Sequence, residues 1–341
     1  MHGLREESDA RNDPSHIDRL FQRVTLSSWK NGNAQMLRLP NRIDDAGFSR
    51  VDQSEARDGR KAEAVKPTKA IEEKQMHQES ILCTATAAAT TGTAATAVAG
   101  DSLTTRNAAN GTGIRALAIW GHLQTGGWIQ YTTPSGHDQT RGPRMIQPTG
   151  VMLSSPLNQV HAFQPQELIS PTIAGTAVAG DVDQMVFQMF YENLPGIDAG
   201  RRMKRWEEIE KRIMRPLTIE ATLTGAAGPG YSGAELITAE SNLLRAMTNY
   251  AVLGITTNLD CALVGILGPD TANQRAIVPG IASKPEITSQ WFKLLSAAHD
   301  LPCIPIIHSG NKDSTSIFCA INENVINPRV SVHLALLDGE I

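Results

Sequence analysis

The chain has 341 residues, of which 41% are hydrophobic, enough to fill a large core, and this argues against disorder of the whole chain. Its 31 basic and 35 acidic residues give a net charge of −4, which excludes a global attraction to nucleic acid or anionic lipid. The four cysteines show no CxxC spacing, so we expect reduced core thiols, as in a protein assembled in a reducing cytoplasm.

Residues 1–80 form a charged N-terminal segment. They hold 14 Lys/Arg and 14 Asp/Glu, and few large apolar residues follow Leu39. Such a segment cannot bury enough surface to offset the entropy of ordering. We expect an extended arm with short helices near Ile17–Val24 and Ala62–Gln78 that becomes ordered only against neighbouring subunits. A solvated tail or linker is the alternative.

Residues 81–197 are predicted to form a first β-sandwich. The runs Ile114–Trp120 and Trp128–Thr132 flank a Gly-Gly turn, which favours a hairpin or meander. Pro134–Pro148 is predicted to be a loop because it is rich in Gly, Pro and Arg. Val182–Tyr191 alternates, and the face with Met185, Phe187, Met189 and Tyr191 is uniformly large and apolar, so this face should point into a core.

A short internal repeat supports a duplicated architecture. The six residues Thr96–Asp101 recur as Thr176–Asp181. If the match is not chance, the two copies are equivalent strand-turn units, as in a duplicated sandwich.

Residues 198–341 are predicted to form a second β-sandwich with inserted helices. The spacing of apolar residues in Arg201–Arg215 predicts an amphipathic helix that Pro216 ends. Shorter helices are predicted at Ala239–Met247 and at Thr288–His299, the latter capped by Thr288. Short links between the remaining apolar runs favour antiparallel strands over a doubly wound sheet. These runs are Tyr250–Thr256, Cys261–Leu267, Cys303–His308, Ser314–Ile321 and Arg329–Leu337.

The motifs of catalysis are missing from the sequence. Its nine histidines are scattered without metal-ligand spacing, and no serine lies in a GxSxG elbow. Gly225–Gly230 has no Gly-Lys-Ser/Thr ending and is interpreted as a flexible loop rather than a phosphate cradle. We therefore predict no catalytic, cofactor-binding or metal-binding residues, no cofactor, no small-molecule substrate, and a protein that is not an enzyme.

Two further features have a possible binding role. The turns Gly268–Asn273 and Gly310–Thr315 gather oxygen ligands of the kind that hold calcium, although Asx residues are also the best turn formers, and we favour turns. The basic residues of Arg201–Arg215 offer a local positive face for nucleic acid, lipid head groups or an acidic partner, but acidic residues lie among them, which favours a solvated helix face.

The region from Ser80 to Ile341 resembles the coat proteins of icosahedral viruses and bacteriophages, in particular the non-tailed kind with a double jelly-roll. The resemblance is one of pattern and includes stretches such as Ala179–Gly196 and Tyr250–Thr271. It implies a mainly β fold with two eight-stranded sandwiches, although a single jelly-roll with elaborated loops also fits the length. It further implies a major capsid protein, located in the virion and self-assembling into an icosahedral shell, with homotrimers, other virion proteins as partners, and an arm that reaches genome, internal membrane or adjacent capsomers.

Two other classes of function stay open from sequence. A receptor- or glycan-binding spike or fibre module has the same strand pattern and uses exposed aromatic side chains as a platform, here Trp120, Trp128 and Tyr131. An enzyme on a β scaffold would use Asp260 or Asp270 with a distant histidine, and requires a pocket with converging polar groups.

Overall fold

The computed structural model describes twelve stretches between His77 and Gly339, all within the unit Ala70–Ile341. The predicted arm, with its helix at Ile17–Val24, lies outside the described residues. The last two residues of the helix predicted at Ala62–Gln78 are described, and they begin a strand instead. The described stretches are residues 77–86, 92–107, 113–135, 144–153, 162–175, 182–192, 203–224, 230–232, 234–237, 243–271, 275–321 and 327–339.

Strands dominate these stretches, and all strand pairs found in them are antiparallel, which confirms the predicted mainly β class. The strands are β1 (His77–Thr86), β2 (Thr93–Ala94), β3 (Thr96–Ala97), β4 (Ile114–Leu123), β5 (Gly127–Thr132), β6 (Arg144–Gln147), β7 (Gly150–Leu153), β8 (Ala162–Phe163), β9 (Ser170–Gly175), β10 (Val182–Tyr191), β11 (Met203–Lys204), β12 (Ile213–Thr222), β13 (Gly230–Tyr231), β14 (Glu235–Leu236), β15 (Asn249–Thr257), β16 (Cys261–Leu267), β17 (Ala276–Gly280), β18 (Ile304–His308), β19 (Ser316–Ile321) and β20 (Arg329–Leu337).

The helices of the described part of the chain are short. They are α1 (Trp206–Ile209), α2 (Pro285–Thr288) and α3 (Trp291–His299), with 3-10 turns at Glu210–Arg212, Pro269–Thr271 and Ser309–Ser314. None of these helices has the length and hydropathy needed to cross a bilayer.

The strands form four sheets, numbered I to IV. Sheet I has the strand order β2-β9-β5-β6, and sheet II has β3-β1-β10-β4-β7 with β8 beside β4. Sheet III has β13-β19-β16-β17 with β14 beside β19, and sheet IV has β11-β18-β15-β20-β12. Sheets I and II enclose one apolar cluster, and sheets III and IV enclose a second. The described residues therefore contain two β-sandwiches in sequence.

Both sandwiches have the same strand connectivity. In the first, β1 pairs with β10, β2 with β9, β4 with β7 and β5 with β6. In the second, β12 pairs with β20, β13 with β19, β15 with β18 and β16 with β17. The first main strand of each sandwich thus pairs with the last and the second with the last but one. The two middle pairs, β4–β7 and β5–β6 in the first sandwich and β15–β18 and β16–β17 in the second, complete this nested order.

Strand β10 lies at the centre of sheet II and is buried on both faces. Met185, Phe187, Met189 and Tyr191 belong to the cluster between sheets I and II, as predicted from the alternation. The opposite face carries Val186 and Phe190, which belong to the cluster of the second sandwich. Sheet II is therefore covered by sheet I on one side and by the second sandwich on the other.

The predicted helix at Arg201–Arg215 is wrong for most of its length. Met203 and Lys204 form β11, α1 lasts one turn, and Ile213 begins β12. Pro216 does not end a helix but pairs with Ala335 within β12. Proline is tolerated there because β12 is the edge strand of sheet IV, where an N–H on the outer side has no strand partner.

Three other local predictions need correction. The predicted loop Pro134–Pro148 contains β6, the edge strand of sheet I. In the predicted helix Ala239–Met247, the described residues 243–247 form turns, and Met247 has a positive φ of 54°. Thr288 is the last residue of α2 rather than the N-cap of α3, which is Gln290.

The internal repeat does not relate the two sandwiches. Thr96 and Ala97 form β3, and the second copy, residues 176–181, lies between β9 and β10 in sequence, outside the described residues. Both copies thus belong to the chain segment of the first sandwich. The duplication is in the connectivity of the strands rather than in this repeat.

The four cysteines are buried and free, as predicted. Burial raises the pKa of Cys83, Cys261 and Cys319, so these thiols stay protonated in the folded chain.

Candidate functional site

A polar cleft of about 370 Å³ lies at the side of the first sandwich, next to sheet III. Strand β1 forms one wall, the segment Gly100–Asn107 that follows β3 forms another, and Arg275 reaches in from the second sandwich. Its charged side chains are Glu79, Asp101, Arg106 and Arg275. A cleft with converging polar groups is the default candidate for a binding site.

Glu79 is the centre of one hydrogen-bond network in the cleft. Tyr191 donates its hydroxyl to Glu79 Oε1 at 2.6 Å, and Arg106 forms an ion pair with the same carboxylate. The Arg106 backbone N–H in turn donates to the Tyr191 hydroxyl at 3.2 Å. Burial acts to raise the pKa of Glu79, but the bonds from His77 and Tyr191 and the charge of Arg106 outweigh it and hold the pKa below its ordinary value.

Asp101 is the centre of a second network, which links the two sandwiches. Its Oδ2 accepts the Leu82 backbone N–H of β1 at 2.8 Å and the Tyr231 hydroxyl of β13 at 2.8 Å. Its Oδ1 pairs with Arg275, whose guanidinium lies 3.9 Å from the centroid of the Tyr231 ring. The Asp101 side chain is only 1% exposed. Burial and the charge of Asp101 raise the pKa of Tyr231, so this hydroxyl remains a donor.

The contacts of these two networks indicate a structural role. Each carboxylate is neutralised by an arginine and accepts a tyrosine hydroxyl, and the pKa of Glu79 is lowered. A general acid requires a carboxyl pKa that moves up toward neutrality. The arrangement fixes the Gly100–Arg106 segment against both sandwiches.

Other buried carboxylates also bind loops. Asp183 accepts the Gln124 N–H at 2.9 Å, and Glu167 accepts the Ser135 N–H at 2.7 Å and the Gln164 N–H at 2.6 Å. Burial acts to raise the pKa of Glu167, but the bonds from Ser135 and Gln164 prevail and lower it. Asp183 and Glu167 therefore serve as acceptors for loop backbone groups.

The predicted aromatic platform is not assembled on the surface. Trp120 is fully buried between sheets II and III, and Tyr131 is 1% exposed inside the first sandwich, where burial raises its pKa to about 12. Trp128 alone of the three is partly exposed, and the Arg144 guanidinium covers its ring at 3.8 Å from the centroid. Trp120 is buried because sheet II is covered on both faces, and Tyr131 is buried because it faces the interior of the first sandwich. The spacing of these residues in the sequence does not reveal either arrangement.

The predicted aspartates serve turns. Asp270 Oδ2 accepts the His308 N–H at 2.9 Å and Oδ1 accepts the Asn311 side-chain amide at 3.0 Å, so the two candidate cation turns bind each other. Asp260 Oδ1 accepts the Ala282 N–H at 2.8 Å. These contacts favour turns over cation loops. No group of three or more potential metal ligands occurs in the described stretches.

His122 is within the electrostatic influence of Asp260 and lies on the face of β4 that meets the second sandwich. Burial lowers the pKa of His122 to about 4, although the negative charge of Asp260 acts in the opposite sense. His122 is therefore neutral at pH 7, and its Nδ1 has no hydrogen-bond partner among the described residues. Asp260 accepts from a backbone group instead of orienting this imidazole, so the two residues do not form a catalytic dyad.

The basic residues predicted to form a helix face pair individually. Lys204 lies 3.7 Å from Glu208, and Arg205 lies 3.0 Å from Asp300. Arg212 donates to the carbonyl oxygen of Asp338 at 2.8 Å. Three described members of this set, Lys204, Arg205 and Arg212, therefore have partners of their own, and the helix that would carry them on one face is not formed as predicted.

Sequence reasoning missed the Asp101–Arg275–Tyr231 network. Asp101 follows the Ala-Gly end of the repeat and has the pattern of an ordinary turn residue. Its burial depends on residues that are 130 and 174 positions away in sequence. No local signal identifies such a contact.

Comparisons with known proteins give no functional assignment. No family model and no curated protein matches the sequence. One solved structure, that of the PBSX exported protein XepA, aligns over 76% of this chain and 86% of its own with 10% identity and a TM-score of 0.23. This similarity is too low to bear on fold or function.

Proposed function

We propose that the chain is a major capsid protein of double jelly-roll type, which self-assembles with copies of itself into an icosahedral viral or bacteriophage shell. The observation that supports this most is the nested pairing order, found twice in one chain. A jelly-roll is an antiparallel hairpin of eight strands rolled into two sheets, which pairs the first strand with the eighth and the second with the seventh. Both sandwiches follow this rule.

The packing of the two sandwiches supports the same proposal. Trp120 donates its indole N–H to the carbonyl oxygen of Ala262 at 2.7 Å, and Trp291 donates to Gln188 Oε1 at 3.1 Å. Apolar residues of sheet II share one cluster with the second sandwich. Two equivalent modules are thus fixed in one orientation, and three such chains provide six modules for a ring with near-hexagonal outline, the shape that tiles a shell.

The exposed surfaces of the two sandwiches are then available for contacts between copies. Stable contacts of this kind bury on the order of 1,600 Å². The partners in this proposal are copies of the chain and other virion proteins, and the charged segment 1–80 contacts adjacent capsomers, genome or an internal membrane. The location is the virion, after assembly in the host cytoplasm.

The alternatives have less support. A glycan-binding module would use Trp120 and Tyr131 at the surface, whereas both are buried. An enzyme would need a free titratable group in the cleft, whereas Glu79 and Asp101 are each paired with an arginine.

The test is the particle size of the purified full chain. We expect trimers and larger particles in sedimentation velocity and shell-like or ring-like particles in negative-stain electron micrographs. A monodisperse monomer at high concentration would overturn the proposal. Deletion of residues 1–60 should leave a folded body but impair shell closure, and unchanged closed particles from the truncated chain would remove the assembly role of the arm.

A further inference from the structure

The polar cleft presents arginine rather than carboxylate to solvent. The side chains of Glu79 and Asp101 are 10% and 1% exposed, whereas those of their partners Arg106 and Arg275 are 44% and 25% exposed. All four side chains line the cleft. The carboxylates therefore lie behind the guanidinium groups, and a ligand that enters the cleft meets the positive groups first.

Arg275 is held in place and keeps hydrogen-bond donors for a ligand. Its Nη1 donates to Asp101, and its guanidinium lies 3.9 Å from the centroid of the Tyr231 ring. Its Nη2 lies beside Gly100 in the cleft, 3.9 Å from the position that a Cβ atom at Gly100 would take. A guanidinium has several N–H donors in a planar fork, so the bond to Asp101 does not use all of them.

Arg106 supplies the second guanidinium of the cleft. Its Nε donates to Glu79, its backbone N–H donates to the Tyr191 hydroxyl at 3.2 Å, and its carbonyl accepts the Gln166 N–H at 3.4 Å. Both arginines are thus anchored before a ligand arrives. Such preorganisation lowers the entropy cost of binding.

Uncharged polar side chains complete the wall of the cleft. Ser102, Asn107 and Gln166 line it and are exposed, and their hydroxyl and amide groups can bind both hydroxyl groups and anionic oxygens. The volume of about 370 Å³ lies at the lower end of the range for small-molecule sites, about 300–1,000 Å³. The size and the lining therefore fit a small polar ligand.

We propose that the cleft binds a small oxyanion, namely a phosphate, sulfate or carboxylate group, carried on a hydroxyl-rich body such as a sugar. Planar guanidinium forks match the paired oxygens of these groups, and two such forks line this one cleft. Every group involved belongs to one chain, so the site does not depend on the proposed shell. Sedimentation tests the shell, and ligand titration tests the cleft.

Calorimetric titration of the full chain at fixed ionic strength tests the site. The probes are inorganic phosphate, glucose 6-phosphate, glucuronate and uncharged glucose. We expect saturable binding of at least one anionic probe and none of glucose, and the preferred probe identifies whether phosphate or carboxylate is the recognised group. Absence of saturable binding by all three anionic probes, or binding of glucose as tight as that of glucose 6-phosphate, would overturn the proposal.

Two isosteric variants locate the bound anion. Gln166→Glu adds one negative charge to the wall of the cleft, and Gln290→Glu adds the same charge at an exposed glutamine outside it. Gln166→Glu should weaken binding of the preferred anionic probe by roughly tenfold, because like charges repel at short range, and Gln290→Glu should leave it unchanged. Equal affinities of the two variants would place the anion elsewhere and reject the site.

Arg275→Lys tests the guanidinium itself. Lysine keeps a positive charge opposite Asp101 but lacks the planar fork, so the affinity for the preferred anionic probe should fall several-fold. An unchanged affinity would show that the fork of Arg275 does not bind the anion. Should this variant fail to fold, the comparison of Gln166→Glu with Gln290→Glu still decides the proposal, since both positions are exposed.

Discussion

The indole N–H of Trp120 in β4 donates a 2.7 Å hydrogen bond to the carbonyl oxygen of Ala262 in β16, and both residues are fully buried. This bond joins sheet II of the first sandwich to sheet III of the second across 142 positions of sequence. The Trp120 ring also meets the Trp291 ring edge to face, with centroids 6.0 Å apart. The contact surface between the two sandwiches is therefore a hydrophobic core. A substitution that disrupts it should lower the stability of both sandwiches.

Replacement of Trp120 by phenylalanine should destabilise the chain. The substitution keeps an aromatic ring but leaves the buried Ala262 carbonyl without its donor, which costs about 1–3 kcal/mol of the free energy of unfolding. Urea denaturation measures this change. Trp128→Phe is the control, since Trp128 is partly exposed in sheet I and should change stability by less than about 0.5 kcal/mol. Equal effects would contradict the buried role of Trp120.

Replacement of Asp101 by asparagine should also destabilise the chain. The side chain keeps its shape, but Arg275 loses its counter-charge and Tyr231 loses an anionic acceptor, at a cost of about 1–3 kcal/mol.

The control for Asp101→Asn is Asp300→Asn. Asp300 also pairs with an arginine, Arg205, but its side chain is 77% exposed, so the expected change is below about 1 kcal/mol. The comparison uses thermal or urea unfolding at one ionic strength. A loss at position 101 no larger than at position 300 would show that the Asp101 network does not hold the sandwiches together.

Acid should destabilise the chain through His122. Burial lowers the pKa of His122 from 6.5 to about 4, so between these values the unfolded chain binds more protons than the folded chain. Stability should therefore rise with pH through this window, and acidification from pH 6.5 to 4 should remove up to about 3 kcal/mol. His122→Gln should show a smaller loss over the same range in urea titrations.

Carboxylates also make the stability of the chain depend on pH, but at lower pH than His122 does. The pKa of Glu79 is lowered, so its stabilising contribution is present above the ordinary glutamate pKa and is lost only as the pH falls below it. Comparing His122→Gln with the parent chain above pH 5 isolates the histidine. If the free energy of unfolding of the two chains changed equally with pH in that range, the lowered pKa of His122 would be contradicted.

Alanine at Gly254 should displace α2. A Cβ atom at this position in β15 would lie 2.0 Å from the Thr288 carbonyl oxygen and 2.5 Å from the Ser289 carbonyl carbon, and backbone atoms cannot yield as a side chain can. We expect a loss of about 2–3 kcal/mol or more, measured by urea denaturation. Gly113→Ala is the control, because its nearest neighbour is the end of the Glu192 side chain. A neutral Gly254→Ala variant would show that α2 does not rest on β15.

Local pattern was sufficient for the strands that alternate or are continuously apolar. Val182–Tyr191 was predicted with the observed bounds, and Cys261–Leu267 and Arg329–Leu337 coincide with β16 and β20. It failed at Arg201–Arg215, where apolar spacings of three and four residues fit a helix but pairing with β20 extends the chain from Ile213. Pairing with a strand more than a hundred residues away overrides local preference.

The sequence by itself determined a mainly β chain, the apolar face of its strands, reduced cysteines and a charged segment in front of them. These follow from composition and from a two-residue period, which a single strand carries within itself. Only the tertiary structure decided that both sandwiches share one nested connectivity, that Trp120 and Tyr131 are buried, and that Asp101 binds Arg275. The physical reason is that strand partners, and whatever covers the second face of a sheet, come from distant parts of the chain, and their contacts leave no mark on local spacing.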